Sequence, residues 1–150
     1  MGTDRSHAEE NRAELERMRA FVEGANDEDL RTPMPDGWTV AAVLAHLAFW
    51  DQRVLVLDDM AERGVTPPPY HEEDVDWIND TSKRFLLALE PRAAARLALQ
   101  IAEEADRRVV GLSDERRADA QARLYNPKRW QDRREHLDQI EQALAVQAGR

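Results

Sequence analysis

The stretch from Trp38 to Leu57 constrains the fold of this chain more than any other. It follows an Asp-Gly pair typical of a turn, and Thr39 can cap a helix by accepting a hydrogen bond from a free backbone N–H of the first turn. The apolar residues that come next recur every three or four positions, which predicts a helix with one buried face. They are Val40, Val43, Leu44, Leu47, Trp50, Val54 and Leu57. We expect this helix to run from about residue 40 to about residue 63, where Gly64 ends it.

Length and composition favour a single domain. The chain has 150 residues, of which 42% are hydrophobic and 34% charged, enough to bury a real core. We expect residues 1–150 to form one domain, with about residues 1–5 frayed. No segment alternates apolar and polar residues with the period of a strand, so we predict an all-α fold.

The remaining helical patterns complete an antiparallel four-helix bundle, the economical way to pack four long helices. The predicted long helices span residues 6–22, 40–63, 91–109 and 128–146. A proline-rich crossover at 64–72 and an extra helical segment at 72–89 lie between the second and third. We expect loops at 25–37 and at 113–125, the latter with a short helical turn.

Charge and cysteine content restrict the partners. The formal net charge is −9, which disfavours nucleic acid and anionic membranes because both bind through clustered Lys and Arg. The absence of cysteine excludes disulfides, Cys-ligated metal and cysteine nucleophiles. The charged N-terminus predicts no signal peptide, and no apolar run approaches the roughly 20 residues that span a bilayer. We therefore expect a cytoplasmic protein.

Two of the four histidines lie beside the apolar stripe of a long helix. His46 and His136 each lie roughly 80° from the centre of that stripe, on the same side. Asp132 precedes His136 by one helical turn. Two histidines and one carboxylate can bind a divalent metal while leaving positions open for water or substrate. A simpler interpretation is that both histidines are satisfied at the core boundary and that Asp132 pairs with Arg129 or Arg133.

Other side chains have both structural and functional interpretations. His7 and His71 are expected to face solvent. Four aromatic residues can line the mouth of a cleft, namely Tyr70, Trp77, Tyr125 and Trp130. A core position is the simpler interpretation for Trp38, Trp50 and Trp130. Three arginines flank the predicted site and can receive an anionic substrate, namely Arg129, Arg133 and Arg134. Surface positions are the simpler interpretation for all three.

Three motifs resemble those of a known superfamily. The segment 37–50, with Gly-Trp-Thr-Val, Leu-Ala-His-Leu and a final Trp, closely resembles the second-helix signature of DinB-like proteins. These include the N-terminal domain of mycothiol-dependent maleylpyruvate isomerase. Asn79 resembles an asparagine that often follows the crossover, and the segment 135–140 (Glu-His-Leu-Asp-Gln-Ile) resembles the final-helix signature. The resemblance covers nearly the whole chain and keeps the order of its parts.

The resemblance implies a metal site. In this superfamily a four-helix bundle commonly binds a divalent metal through one histidine of the second helix and two of a His-x-x-x-His motif on the last. His46 and His136 match the first and last ligands, and Asp132 takes the place of the middle histidine. Aspartate can ligate zinc, nickel, iron or manganese, so these three residues are the predicted metal ligands. The same replacement also fits a degenerate site.

The resemblance also implies an activity. Relatives use a metal to activate mycothiol or another small thiol for S-transfer, or to hydrolyse a reactive small molecule. Since the chain has no cysteine, any thiol must be a small-molecule co-substrate. The two-domain isomerases carry a further domain for which 150 residues leave no room, so we do not expect that isomerase activity. The alternative is a non-catalytic ligand-binding or dimerising bundle, since relatives often form homodimers.

Overall fold

The computed structural model describes residues 6–68, 71–123 and 126–149. Within these residues the regular structure consists of α-helices and short 3-10 turns, without a β-strand, which confirms the all-α prediction. The helices are α1 (Ser6–Gly24), α2 (Asp27–Arg31), α3 (Val40–Glu62), α4 (Val75–Leu87), α5 (Pro91–Val110), α6 (Asp114–Arg123) and α7 (Trp130–Ala148). The predictions for residues 1–5, Tyr70 and Tyr125 lie outside the described residues.

The four long helices share one hydrophobic core. Helix α3 packs against α5 and α7, and α1 packs against the same two helices. Met18, Leu44, Leu137 and Ile140 are fully or almost fully buried where these helices meet. The extra segment α4 packs on α3 after the crossover, as predicted. These contacts agree with a four-helix bundle, and the antiparallel order of its helices stays a prediction.

A defined turn positions the start of α3. Asp36 and Gly37 both have positive φ angles, of 63° and 81°, a backbone conformation that glycine adopts at little cost. Thr39 then caps the helix, because its Oγ1 accepts a hydrogen bond from Ala42 N at 3.1 Å. The predicted cap is therefore confirmed. The turn also fixes Trp38 against the first part of α3, where it packs on the core.

Helix α3 is more apolar than we expected from the sequence. By length and composition it is able to cross a membrane, with a mean hydropathy of 1.5 over an 18-residue window. This corrects the expectation that no apolar run approaches bilayer length. The same window is 67% buried inside the protein, because α3 contacts three other long or intermediate helices of the core.

Two segments predicted as loops contain helices. Helix α2 begins with a reciprocal cap in which Asn26 Oδ1 accepts a hydrogen bond from Asp29 N at 2.7 Å and the Asp29 carboxylate accepts one from Asn26 N at 3.0 Å. Helix α6 spans ten residues, and Ser113 Oγ accepts a hydrogen bond from Arg116 N at its start. The apolar pattern missed both, because α2 buries only Leu30 and capping rather than a stripe begins these helices.

Charged side chains connect the helices inside the core. Arg133 on α7 is 1% exposed and donates to both carboxylate oxygens of Asp106 on α5, at 2.7 and 2.9 Å. Asp51 on α3 is 2% exposed and accepts from Arg129 Nε at 2.8 Å. Both arginines were expected near the surface or beside Asp132. That expectation is wrong, because two buried carboxylates on other helices compensate their charges.

Candidate metal centre

A cleft of about 920 Å³ opens on one side of the core. Its walls come from the loop before α3, the first turns of α3, the start of α4 and the C-terminal half of α7. His46 and His136 both line it, and Trp38 and Val43 supply apolar wall between them and the loop. The two histidines that the sequence singled out therefore share one cavity.

The two imidazole rings are in direct contact. The ring centroids of His46 and His136 lie 5.2 Å apart and their planes are 88° from parallel. The His46 ring also contacts the Trp38 ring, at 5.6 Å between centroids. The pair forms because α3 packs on α7 and each helix places its histidine beside, rather than within, its apolar stripe. The fold thus brings together two imidazole side chains that are 90 residues apart in sequence.

His46 contains a buried polar atom without a partner. Its Nδ1 is inaccessible to solvent and makes no hydrogen bond in the described part of the chain. Burial, together with the nearby His136, lowers the pKa of His46 to about 4, while the charge of Asp132 acts in the opposite direction. His46 is therefore neutral at pH 7, the form in which imidazole binds metals. An unsatisfied buried nitrogen is a group whose desolvation cost a bound ion or ligand can offset.

His136 has a defined hydrogen-bonding state. Its Nδ1 lies 2.9 Å from Gln139 Oε1, and an amide oxygen can only accept a hydrogen bond. The bond therefore fits a ring that donates from Nδ1. In the neutral tautomer with this proton the lone pair is on Nε2, which is the tautomer that can bind a metal through that nitrogen.

Asp132 stands apart from the histidine pair. Its side chain is exposed one turn before His136 on α7, close enough for its charge to act on the pKa of His46. Among the described residues, no three His, Asp or Glu side chains are already grouped around one point as metal ligands. The structure therefore brings His46 and His136 together and leaves Asp132 at the edge. The donor chemistry of the two histidines fits a divalent metal, and Asp132 is the carboxylate on the same helical face.

The rest of the cleft is acidic and rich in amides. Asp36, Asp76 and Asp80 line it, and of the described lining residues none is Lys or Arg. The Lys83 ammonium lies outside the lining, where it donates to the backbone oxygen of Asp36 and stands 5.3 Å from the centre of the Trp38 ring. Negative potential thus predominates along this wall.

Helix α4 supplies the acidic wall through a spacing that the sequence analysis did not use. Asp76, Asn79 and Asp80 recur at the three- and four-residue intervals that place side chains on one face of a helix. Asn79 is also bound to α3, since its Oδ1 accepts from Trp50 Nε1 at 2.9 Å. The polar face of α4 could have indicated a cleft wall, but the sequence analysis considered only the apolar stripe of this segment.

Several other sequence-based expectations are corrected. His7 is 7% exposed and so does not face solvent, whereas His71 is exposed as predicted. Trp77 is 57% exposed and donates to Asp74 Oδ1 instead of lining the cleft. Trp130 lies under the Arg134 guanidinium, 4.5 Å from its ring centre. Arg134 itself binds two glutamates of α1 and does not line the cleft.

Comparisons with known proteins agree with the sequence resemblance. Residues 11–141 match the family model described as the mycothiol maleylpyruvate isomerase N-terminal domain. A protein of Geobacillus kaustophilus (strain HTA426), provisionally named a metal-dependent hydrolase, is 38% identical over 77 residues. That match spans 49% of this chain and 42% of the relative's length. No solved structure matches the chain significantly. Because the family model covers most of the chain, this protein belongs to the mycothiol maleylpyruvate isomerase N-terminal domain family.

Proposed function

We propose that this protein is a metal-dependent enzyme acting on a small molecule, with His46, Asp132 and His136 holding a divalent ion. The observation that carries the proposal is the histidine pair, whose rings lie 5.2 Å apart in an open cleft. The unpartnered Nδ1 of His46 adds to it. Zinc, nickel, iron and manganese all accept this donor set.

Two reaction classes fit the site, S-transfer from a small thiol and hydrolysis of a reactive small molecule. The family description supports mycothiol or another small thiol as co-substrate, and the name of the Geobacillus relative supports hydrolysis. A divalent ion supplies the same chemistry to both, because it lowers the pKa of a thiol or of water towards neutrality. The chain's own residues hold the ion, shape the cleft and set its charge.

The charge of the cleft restricts the substrate. Asp36, Asp76 and Asp80 line the cleft without a lining cation among the described residues. A dicarboxylate would meet these charges at short range, and like charges repel strongly where water is partly excluded. We therefore propose a neutral or cationic substrate rather than a dicarboxylate, and we place the enzyme in the cytoplasm, where small thiols stay reduced.

One observation favours a second function. Within the described part of the chain, the potential ligands are not yet grouped around one point, and Asp132 is exposed. A bundle with a degenerate metal site would bind a small molecule in the same cleft without catalysis. The same measurement separates the two proposals.

The test is metal content, measured by elemental mass spectrometry on untagged protein purified without chelator. We expect near-stoichiometric metal in the unmodified protein and a loss of most of it in the His46→Ala and His136→Ala variants. Asp132→Ala should bind zinc about tenfold or more weakly, since one charged ligand is removed.

His71→Ala is the matched control, because His71 is exposed and does not line the cleft. It should keep its full metal content. Unchanged metal in the His46 and His136 variants would show that the ion binds elsewhere. An unmodified protein that takes up no zinc, nickel, iron or manganese would support the non-catalytic bundle.

A further inference from the structure

The side chain of Asn79 is held in one orientation by its neighbour. Trp50 Nε1 lies 2.9 Å from Asn79 Oδ1. An indole N–H can only donate a hydrogen bond, so the Asn79 atom that faces it must be the oxygen. The two N–H donors of Asn79 Nδ2 therefore face away from Trp50. The hydrogen bond from Trp50 therefore determines which side of the Asn79 carboxamide is the oxygen and which is the nitrogen.

The Asn79 donors are available to a ligand. Asn79 lines the same cleft as His46 and His136, and in the described part of the chain no group accepts a hydrogen bond from its Nδ2. Trp50 follows His46 by four residues on α3, so the two side chains lie on one helical face, one turn apart. The Asn79 amide is thus held one helical turn along the cleft from the histidine pair.

Asn79 differs from its neighbours on this wall in offering hydrogen-bond donors. Asp76 and Asp80, the other two lining residues of α4, carry carboxylates, whose oxygens accept hydrogen bonds. Asn79 is consequently the donor that α4 presents to the cleft. A ligand oxygen that approached Asp76 or Asp80 would be repelled, whereas the Asn79 amide would bind it.

We infer that Asn79 is a specificity-determining residue that donates a hydrogen bond to an acceptor oxygen of the bound substrate, and that Trp50 is its positioning residue. The inference rests on the proposed function in one respect, namely that the substrate occupies the cleft of His46 and His136. It narrows the substrate class to neutral or cationic small molecules that carry a carbonyl or similar acceptor oxygen.

The test uses acetamide, a neutral molecule with a carbonyl oxygen and no chelating group, as a probe of the zinc-loaded protein. Its dissociation constant is measured by calorimetry for the unmodified protein and for Asn79→Asp. This variant is isosteric and keeps an oxygen for Trp50, but it replaces the donor with an acceptor. We expect binding to weaken about tenfold or more, with the melting temperature and zinc affinity unchanged. Equal affinity for both proteins would overturn the inference.

Two further variants separate hydrogen bonding from charge and from packing. The double variant Asn79→Asp, Asp80→Asn restores the net charge, and we expect it to bind the probe as weakly as Asn79→Asp. Recovery of binding would mean that charge alone was responsible. Trp50→Phe should weaken binding when residue 79 is Asn but not when it is Asp, because an aspartate has no donor to orient. Equal effects in both backgrounds would assign Trp50 a purely structural role.

A separate readout keeps this inference distinct from the proposed function. The Asn79 side-chain amide has its own NMR signal, and millimolar acetamide should shift it in metal-free protein as well. If zinc is not bound but the Asn79 signal shifts, the metal proposal fails and the Asn79 inference stands. If zinc is bound and the signal does not move in either form, the Asn79 inference fails alone.

Discussion

At the scale of single residues, His46 combines two properties that oppose each other in a purely structural side chain. Its ring contacts those of Trp38 and His136, yet its Nδ1 has no hydrogen-bond partner in the described part of the chain. A histidine that served packing alone would gain stability by making that bond. The unsatisfied nitrogen is therefore a group that a bound ion or ligand can satisfy.

We expect His46 to make the metal-free protein less stable in mild acid. Its pKa falls from 6.5 in the unfolded chain to about 4 in the fold, so between these values the unfolded chain binds more protons. Above about pH 6.5 the titration of His46 therefore does not lower the free energy of unfolding. As the pH falls towards 4 it lowers that free energy by an amount on the order of 1–2 kcal/mol, after allowance for solvent screening. Urea unfolding at pH 7 and pH 5 measures the loss.

The His46→Asn variant is the comparison for this pH effect. It removes the titrating ring, so the difference in unfolding free energy between pH 7 and pH 5 should shrink. His71→Asn, at an exposed position, should leave that difference as it is. A pH difference of the same size in His46→Asn and in the unmodified protein would assign the effect to other groups.

At the scale of helices, α7 is fixed to its neighbours by polar contacts as well as by its apolar stripe. Arg133 binds Asp106 on α5, and Arg129 binds Asp51 on α3. On α1, Asn11 accepts a hydrogen bond from the backbone nitrogen of Trp130 at 2.9 Å, at the first turn of α7. These bonds are directional, so they fix how far α7 slides along α3 and hence where His136 meets His46.

Arg133→Met is expected to destabilise the protein strongly. The variant leaves the carboxylates of Asp51 and Asp106 buried without this partner, which typically costs about 3–5 kcal/mol. Arg134→Met, on the same helix, is the matched control: Arg134 is 43% exposed, so its loss should cost about 1 kcal/mol or less. Urea unfolding of both variants gives the comparison, and equal losses would contradict the structural role assigned to Arg133.

At the scale of the whole molecule, negative charge is the dominant electrostatic property. The formal net charge is −9. The cleft is acidic as well, because Asp36, Asp76 and Asp80 line it. Basic side chains instead form ion pairs with acidic residues on other helices. Examples are Arg17 with Asp138 and Arg108 with Asp59, each with an N···O distance of 2.7 Å. The field therefore favours the approach of neutral or cationic molecules.

The double variant Asp76→Asn, Asp80→Asn should bind dicarboxylates better than the unmodified protein. Maleate serves as the probe, added to the zinc-loaded protein and followed by calorimetry. We expect its affinity to rise several-fold at low salt and the gain to diminish as salt screens the charges. Asp114→Asn, which does not line the cleft, should leave maleate affinity unchanged. An equal gain there would show that net charge rather than the cleft matters.

A homodimer is the remaining expectation at this scale. The resemblance implies it, and sedimentation equilibrium across a range of protein concentrations measures it directly. We expect a two-fold increase in mass over the 17.2 kDa chain. A single species of chain mass at all concentrations would remove the dimer and with it any part of the site supplied by a second copy.

Sequence alone determined the long helices, the Thr39 cap, the all-α class and the placement of His46 and His136 on the same side of their stripes. These properties follow from periodicity and capping, which depend on residues a few positions apart. Sequence did not predict helix α2, the ten-residue length of α6, the burial of His7 or the buried ion pairs of Arg129 and Arg133. Asp51 and Arg133 do lie on the buried stripes of their helices, so a charge in an apolar face was a readable signal.

Only the tertiary structure decided which distant residues meet. Periodicity assigns a side chain to a face of its own helix, but it contains no information on how two helices are rotated and shifted against each other. That choice is made by packing and by directional bonds between elements. It brought His46 to His136 and Trp50 to Asn79, left Asp132 exposed at the edge, and enclosed Arg133 with Asp106. The chemistry of the cleft therefore depends on the packing of α3, α4 and α7, whereas the helices themselves were already specified by their own sequences.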